Sequence, residues 1–186
     1  MAILKIARMG HPVLRARART IDRGELKSIA VQRLIDDMLE TMVEYRGVGL
    51  AAPQVHERVR IFVATIDAAD ETSPPAKPIV VINPEVMPVG DEVAEDWEGC
   101  LSVPDIRGRV PRAREIRLRA LDRRGERFDM PAQDFTARVF QHETDHLDGI
   151  LFIDRLDPET RKEAMKALRD QDFGMSPPPR KPRKDL

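Results

Sequence analysis

A chain of 186 residues, 41% hydrophobic and 34% charged, suits one domain with a single core better than two. Its formal net charge of −1 offers no argument for DNA or an anionic membrane as partner. No apolar run approaches the roughly 18–20 residues of a membrane-spanning helix.

Met1-Ala-Ile-Leu-Lys-Ile lacks the long apolar stretch and small-residue cleavage site of a signal peptide, so the expected compartment is the cytoplasm. The first 23 residues are basic and irregular, with a turn signal at His11-Pro12. Leu26, Ala30, Leu34, Met38 and Met42 recur at helical spacing and predict a helix over Glu25–Tyr45, with Gly47 placed to end it. Val48–Val55 is apolar and small, and too short for another helix. Arg60–Thr65 and Ile79–Ile82 are β-branched and read as strands, separated by a polar, proline-containing loop over Asp70–Pro78. Glu115–Leu121 alternates apolar and charged residues as a half-buried strand does. Asp122–Gly125 follows as a turn and Glu126–Met130 as the return strand. Asp134–Leu147 is helical in pattern, with Phe135, Val139, His142, Glu143 and His146 near one face and Gly149 as cap. A third helix starts at Asp157, with Pro158 at its first position, and runs to about Gln171. Strands and helices interleave without a βαβ rhythm. The expected fold is α+β in a single domain, with antiparallel or mixed β-sheets packed around a central helix, Asp134–Leu147. Residues 1–174 form the expected catalytic domain, and 175–186 a basic, proline-rich tail without core-forming residues.

The chemistry concentrates in His142-Glu143-Thr144-Asp145-His146. Side chains four apart on a helix are neighbours, so both imidazoles reach one ion, while Glu143, rotated by about 100°, stands beside it. A metal there lowers the pKa of a water to about 7, and a carboxylate can take the proton. The bland alternative is a surface helix with two incidental histidines, which placement on an apolar face disfavours. A catalytic site needs a third protein ligand. No histidine follows His146, and Glu159 and Glu163 fall on a helix that reads as exposed. Cys100, in Trp97-Glu98-Gly99-Cys100-Leu101-Ser102, is the remaining candidate; alone it would read as a structural cysteine.

Three segments in order resemble the peptide deformylases: Gly47-Val-Gly-Leu-Ala-Ala-Pro-Gln54, Glu98-Gly-Cys-Leu-Ser102 and Gln141-His-Glu-Thr-Asp-His-Leu-Asp-Gly149. The likeness extends from about Ile6 through Leu156 and leaves the tail unexplained. It implies that Cys100, His142 and His146 hold a metal, ferrous iron in most members, with nickel, cobalt or zinc as substitutes. It implies that Glu143 is the general base and that the Gln54 amide and the Leu101 backbone N–H stabilise the oxyanion. Donors aimed at developing charge are worth about 3–4 kcal/mol each. The implied substrate is the N-formyl-methionine end of a nascent peptide. Gly49 would pair with the extended substrate, its alternative being a simple turn glycine. Val48 and the residues around Phe135–Val139 would receive the methionine side chain, with Arg138 at the rim, its head in water. Arg107 would line the cleft, and Trp97 reads as a packing residue. Asp145 has two open readings, orienting a ligand or forming a surface ion pair.

The implied reaction is attack on the formyl carbon by a water that Glu143 deprotonates, then release of formate and a free α-amine. A zinc endopeptidase shares HExxH but lacks the Cys100 motif. A binding module without activity would be expected to have lost a ligand or the base, and neither is lost. Arg180, Lys181, Arg183 and Lys184 allow a transient ribosome contact through RNA phosphates. The favoured reading of the tail is a solvated end.

Overall fold

The structure is a computed structural model and describes residues 2–66 and 78–172. The expected loop over Asp70–Pro78, apart from Pro78, and the expected tail over 175–186 lie outside the described residues.

The chain enters through a 3-10 turn, Pro12–Arg15, whose first free N–H, that of Val13, donates to His11 Nδ1. The single helix expected over Glu25–Tyr45 is two: α1 (Arg23–Leu26) and α2 (Ile29–Glu44). Apolar spacing runs unbroken through the junction. The break arises because Asp22 and Ser28 each cap a separate start, Asp22 through Gly24 and Glu25 N–H, and Ser28 through Val31 N–H. At the end of α2 the left-handed residue is Arg46 (φ 52°), not Gly47. Gly47 follows and donates to Met42 O, closing a Schellman turn.

Five strands form one antiparallel sheet in the order β1 (Gly49–Ala51), β2 (Ile61–Thr65), β3 (Pro78–Pro88), β6 (Glu115–Leu121), β7 (Arg127–Gln133). Strand β3 continues well past the expected Ile82, through a bulge in which Asn83 takes φ 51°. Strands β4 (Val93–Cys100) and β5 (Val103–Ala113), unanticipated from the sequence, pair as a separate antiparallel hairpin. Helix α3 (Asp134–Leu147) has the expected bounds and packs against β1, β2, β3, β5, β6 and β7. It ends in a second Schellman turn with Gly149 at φ 76°, where a Cβ would stand 2.7 Å from Arg15 O; only glycine fits. After another 3-10 turn (Phe152–Arg155), α4 (Pro158–Asp172) closes the described chain. Glu159 and Glu163 on α4 are exposed, as expected.

Phe62, Phe140, Ile116 and Leu118 pack between the large sheet and α3, while Ile35, Met38 and Met42 of α2 pack against Leu50, Ile61 and Val63. A third apolar cluster, with Val103, Val110 and Phe152, seats the hairpin against the segment after α3. The functional motifs therefore lie where a sheet edge, a hairpin end and a buried helix meet.

Candidate metal centre

Helix α3 carries His142 and His146 one turn apart, both buried, with ring centroids 5.0 Å apart. The last residue of β4 is Cys100, and one ligand atom from each of the three side chains falls within 4.8 Å of the others. Cys100 Sγ is 3.3 Å from His146 Nε2. Ligands around one tetrahedral ion, with M–S about 2.3 Å and M–N about 2.0–2.1 Å, stand roughly 3.5 Å apart, so the spacing fits an ion. His146 Nδ1 is buried without a hydrogen-bond partner among the described residues. Two imidazoles and a thiol suit iron, zinc, cobalt or nickel and disfavour magnesium or calcium. Three protein donors also leave a position for water.

Beside them, Glu143 is 4% exposed and its Oε2 has no partner among the described residues. Burial pushes this carboxyl up to about 7; His142 and Arg112 pull against that rise and Glu98 adds to it. A carboxyl poised there can accept and return a proton near neutral pH. Gly49 of β1 is explained by the same carboxylate, because a Cβ on it would stand 2.4 Å from Glu143 Oε1. Neither a turn nor a positive φ requires this glycine; the close approach of Glu143 does. Gln54 is 2% exposed and held by its own loop, with Oε1 accepting from Ala51 N–H. That bond turns Nε2 toward Cys100 Sγ (3.4 Å) and Ser102 Oγ (3.3 Å). Leu101, next to Cys100, is half-buried. Among the expected pocket residues Val139 is buried, whereas Val48 and Phe135 are 47% and 43% exposed. Arg107 is exposed on β5, opposite Gly99 and so one position from Cys100.

A set of buried charges behind His142 was not assigned from the sequence. Glu98 Oε2 accepts from His142 Nδ1 at 2.8 Å, which leaves Nε2 to face Cys100. Arg112 grips Glu98 with Nε and Nη2 (2.9 and 3.0 Å), and Arg138 Nη1 adds a contact at 2.9 Å. Burial alone would push the Glu98 carboxyl up; the bonds from His142 and Arg112 outweigh it and hold the group at about 2. Burial likewise drives His146 well below its ordinary value. For His142, bonds to Cys100 and Glu98 overcome burial and raise it. The HExxH motif held the clue: a ligating histidine commonly gives its second nitrogen an acceptor, which His142 has in Glu98 and His146 lacks among the described residues.

Two expectations are corrected. Arg138 is not at a rim with its head in water; it is 5% exposed and also donates to the carbonyls of Val110 and Ala94. Trp97 is not a core packing residue; it is 59% exposed on β4. Asp145 forms ion pairs with Arg112 and Arg155, but in the interior rather than at the surface.

A donor set of two buried histidines and a half-buried cysteine, flanked by the Glu143 carboxylate, defines a candidate metal-dependent hydrolytic centre. Comparison with known proteins narrows the class. Residues 3–162 match the polypeptide deformylase family model. A peptide deformylase of Pseudomonas aeruginosa is 43% identical over 171 residues, covering 92% of this chain and 97% of its own. One from Heliobacterium modesticaldum is 43% identical over 163 residues, covering 88% and 100%. The Met-Ala-Ser-bound crystal structure of class I type b peptide deformylase from Acinetobacter baumannii superposes with a TM-score of 0.77 at 38% identity, over 83% of this chain and 99% of that one. The chain belongs to the polypeptide deformylase family.

Proposed function

We propose that this protein removes the formyl group from the N-terminal formyl-methionine of newly synthesised polypeptides by metal-dependent hydrolysis, releasing formate. The observation that carries the reading is the meeting of Cys100, His142 and His146 beside Glu143, whose Oε2 has no partner among the described residues. Cys100, His142 and His146 would hold the metal, read as ferrous iron with nickel, cobalt or zinc able to substitute. When bound, it supplies Lewis acidity that brings the ionisation of water to near neutral pH.

Glu143 is the base: it takes a proton from the attacking water and returns it to the leaving amine. Gln54 is pre-set as an oxyanion donor, since Oε1 is tied to Ala51 N–H and only Nε2 faces the site. The Leu101 backbone N–H is the second donor in this reading. Strand β1 pairs with β2 on one side only, which leaves its other edge open among the described strands. An extended peptide adding there would bring its first residue to Gly49 and Glu143. The A. baumannii relative was crystallised with a peptide that begins with methionine. Here Val48 and Val139 are read as the walls for that side chain and Arg107 as a cleft residue.

We read α3 as the central helix of the fold, supported by its packing on both sheets. We read residues 1–174 as the catalytic domain, 175–186 as a basic tail and the compartment as the cytoplasm. No helix among the described residues is long and apolar enough to cross a membrane. The tail's four cations would favour RNA phosphates in a transient ribosome contact.

The test is formate release from a formyl-methionyl peptide by protein loaded with ferrous iron without oxygen, and by nickel-loaded protein. Both are expected to release formate and to leave internal peptide bonds intact. Cleavage of internal bonds, or metal-replete protein that releases no formate, contradicts the reading.

A further inference from the structure

Glu98 is not the end of the chain of charges behind His142. Arg112 donates Nη1 to Asp145 Oδ2 at 2.6 Å while its other two nitrogens hold Glu98. Asp145 in turn is gripped on both oxygens by Nε and Nη2 of Arg155. Arg155 lies on the 3-10 turn after α3, outside every sequence motif singled out above. We propose that Arg155 is a positioning residue for the metal centre, acting on His142 through Asp145, Arg112 and Glu98.

Asp145 and Glu98 share one cation, Arg112. The Asp145 side chain is 10% exposed and has two guanidinium partners. One of them, Arg112, is also the main partner of Glu98. Without Arg155, Asp145 is a buried carboxylate with one cation, and it competes with Glu98 for that cation. Any shift of Arg112 toward Asp145 leaves Glu98 to Arg138 and displaces the acceptor of His142 Nδ1. Such outer partners set the tautomer, ring orientation and basicity of a ligating histidine. The Arg155 side chain is 40% exposed, and a pair exposed at both ends would contribute little. Here the Asp145 end is buried, so water cannot replace the lost partner on equal terms. The same turn carries Phe152, whose ring stacks on His142 with centroids 6.2 Å apart, so Arg155 also holds the surface against which that imidazole rests.

The inference rests on His142 being a ligand, and the test separates the two claims. Wild type, Cys100→Ser, Arg155→Ala, Arg155→Lys and Asp145→Asn are loaded with cobalt(II). Absorption spectrum, dissociation constant against a competing chelator and Tm are read on each. Arg155→Ala is expected to weaken cobalt binding by about 10-fold or more and to shift the ligand-field bands. Arg155→Lys keeps the charge but not the two-pronged grip and should recover part of the affinity. Asp145→Asn should shift the same bands as Arg155→Ala. A lowered Tm with wild-type bands and affinity would mean that Arg155 only ties the turn to α3, and overturns the proposal. Should Arg155→Ala fail to fold, Arg155→Lys and Asp145→Asn decide by the same readouts. Cobalt binding unchanged by Cys100→Ser would instead overturn the ligand set.

Discussion

On the hairpin flank of α3, Glu98, Arg112, Arg138 and Asp145 sit in the interior with their charges paired, several of them more than once. On the flank facing β1, Glu143 Oε2 is as deeply buried and has no partner among the described residues. A buried orphan of this kind costs about 1–3 kcal/mol, so the fold tolerates on one side what it avoids on the other. The paired flank holds His142 in one orientation. The unpaired flank keeps free the carboxylate oxygen that a water and a substrate would meet. Rigidity and reactivity thus share one helix, separated by the rotation between neighbouring side chains.

The largest expected effect comes from removing the thiol that the hairpin brings to the two histidines. Cys100→Ser replaces an anionic sulfur by a neutral hydroxyl, and metal stoichiometry after dialysis should fall sharply, with formate release following it. Cys100→Asp should retain more metal than Cys100→Ser because it restores a negative ligand. Full retention in Cys100→Ser would place the third ligand elsewhere. Next, Gln54→Ala removes Nε2 from beside Cys100 and should lower kcat by roughly 10²–10³ with little change in metal content. An unchanged kcat would remove Gln54 from the oxyanion role.

Gly49→Ala sharpens the comparison without touching a reacting group. Its new Cβ would stand 2.4 Å from Glu143 Oε1, so the carboxylate must move. A displacement of about 1 Å can cost around 10²-fold in rate, measured as kcat/KM at constant metal content. A near-normal rate would show that Glu143 has room to spare. The smallest effect is on pH. Burial first, and Glu98 after it, raise the Glu143 carboxyl to about 7, and the base must be ionised to work. The rate should therefore fall as pH drops, with a midpoint at or below that value because a bound cation favours the ionised form. A profile of kcat/KM flat between about pH 5 and about pH 8 would contradict this.

Helix α3 was legible in the sequence because its apolar face repeats at helical spacing and His142 and His146 fall on it. The hairpin that delivers Cys100 was not. Strand β4 is exposed at most positions and shows no clean alternation, and β5 carries Pro104 and Pro111, which argue against a strand when read alone. The break between α1 and α2 escaped because capping by Ser28 leaves the apolar period intact. The set of charges behind His142 joins residues up to 44 positions apart, and no local pattern announces such pairs. Arg138 was misplaced for a related reason. Arginine is usually at the surface, and three carbonyls from β4 and β5 make the interior acceptable here.

The central claim is that Glu143 does the proton transfer in a site whose metal is held by other side chains. The direct measurement is metal content and formate release on one preparation of Glu143→Ala. The account predicts metal bound as in the wild type and turnover lower by roughly 10²–10⁴. Wild-type turnover with metal bound would contradict it and assign the base elsewhere.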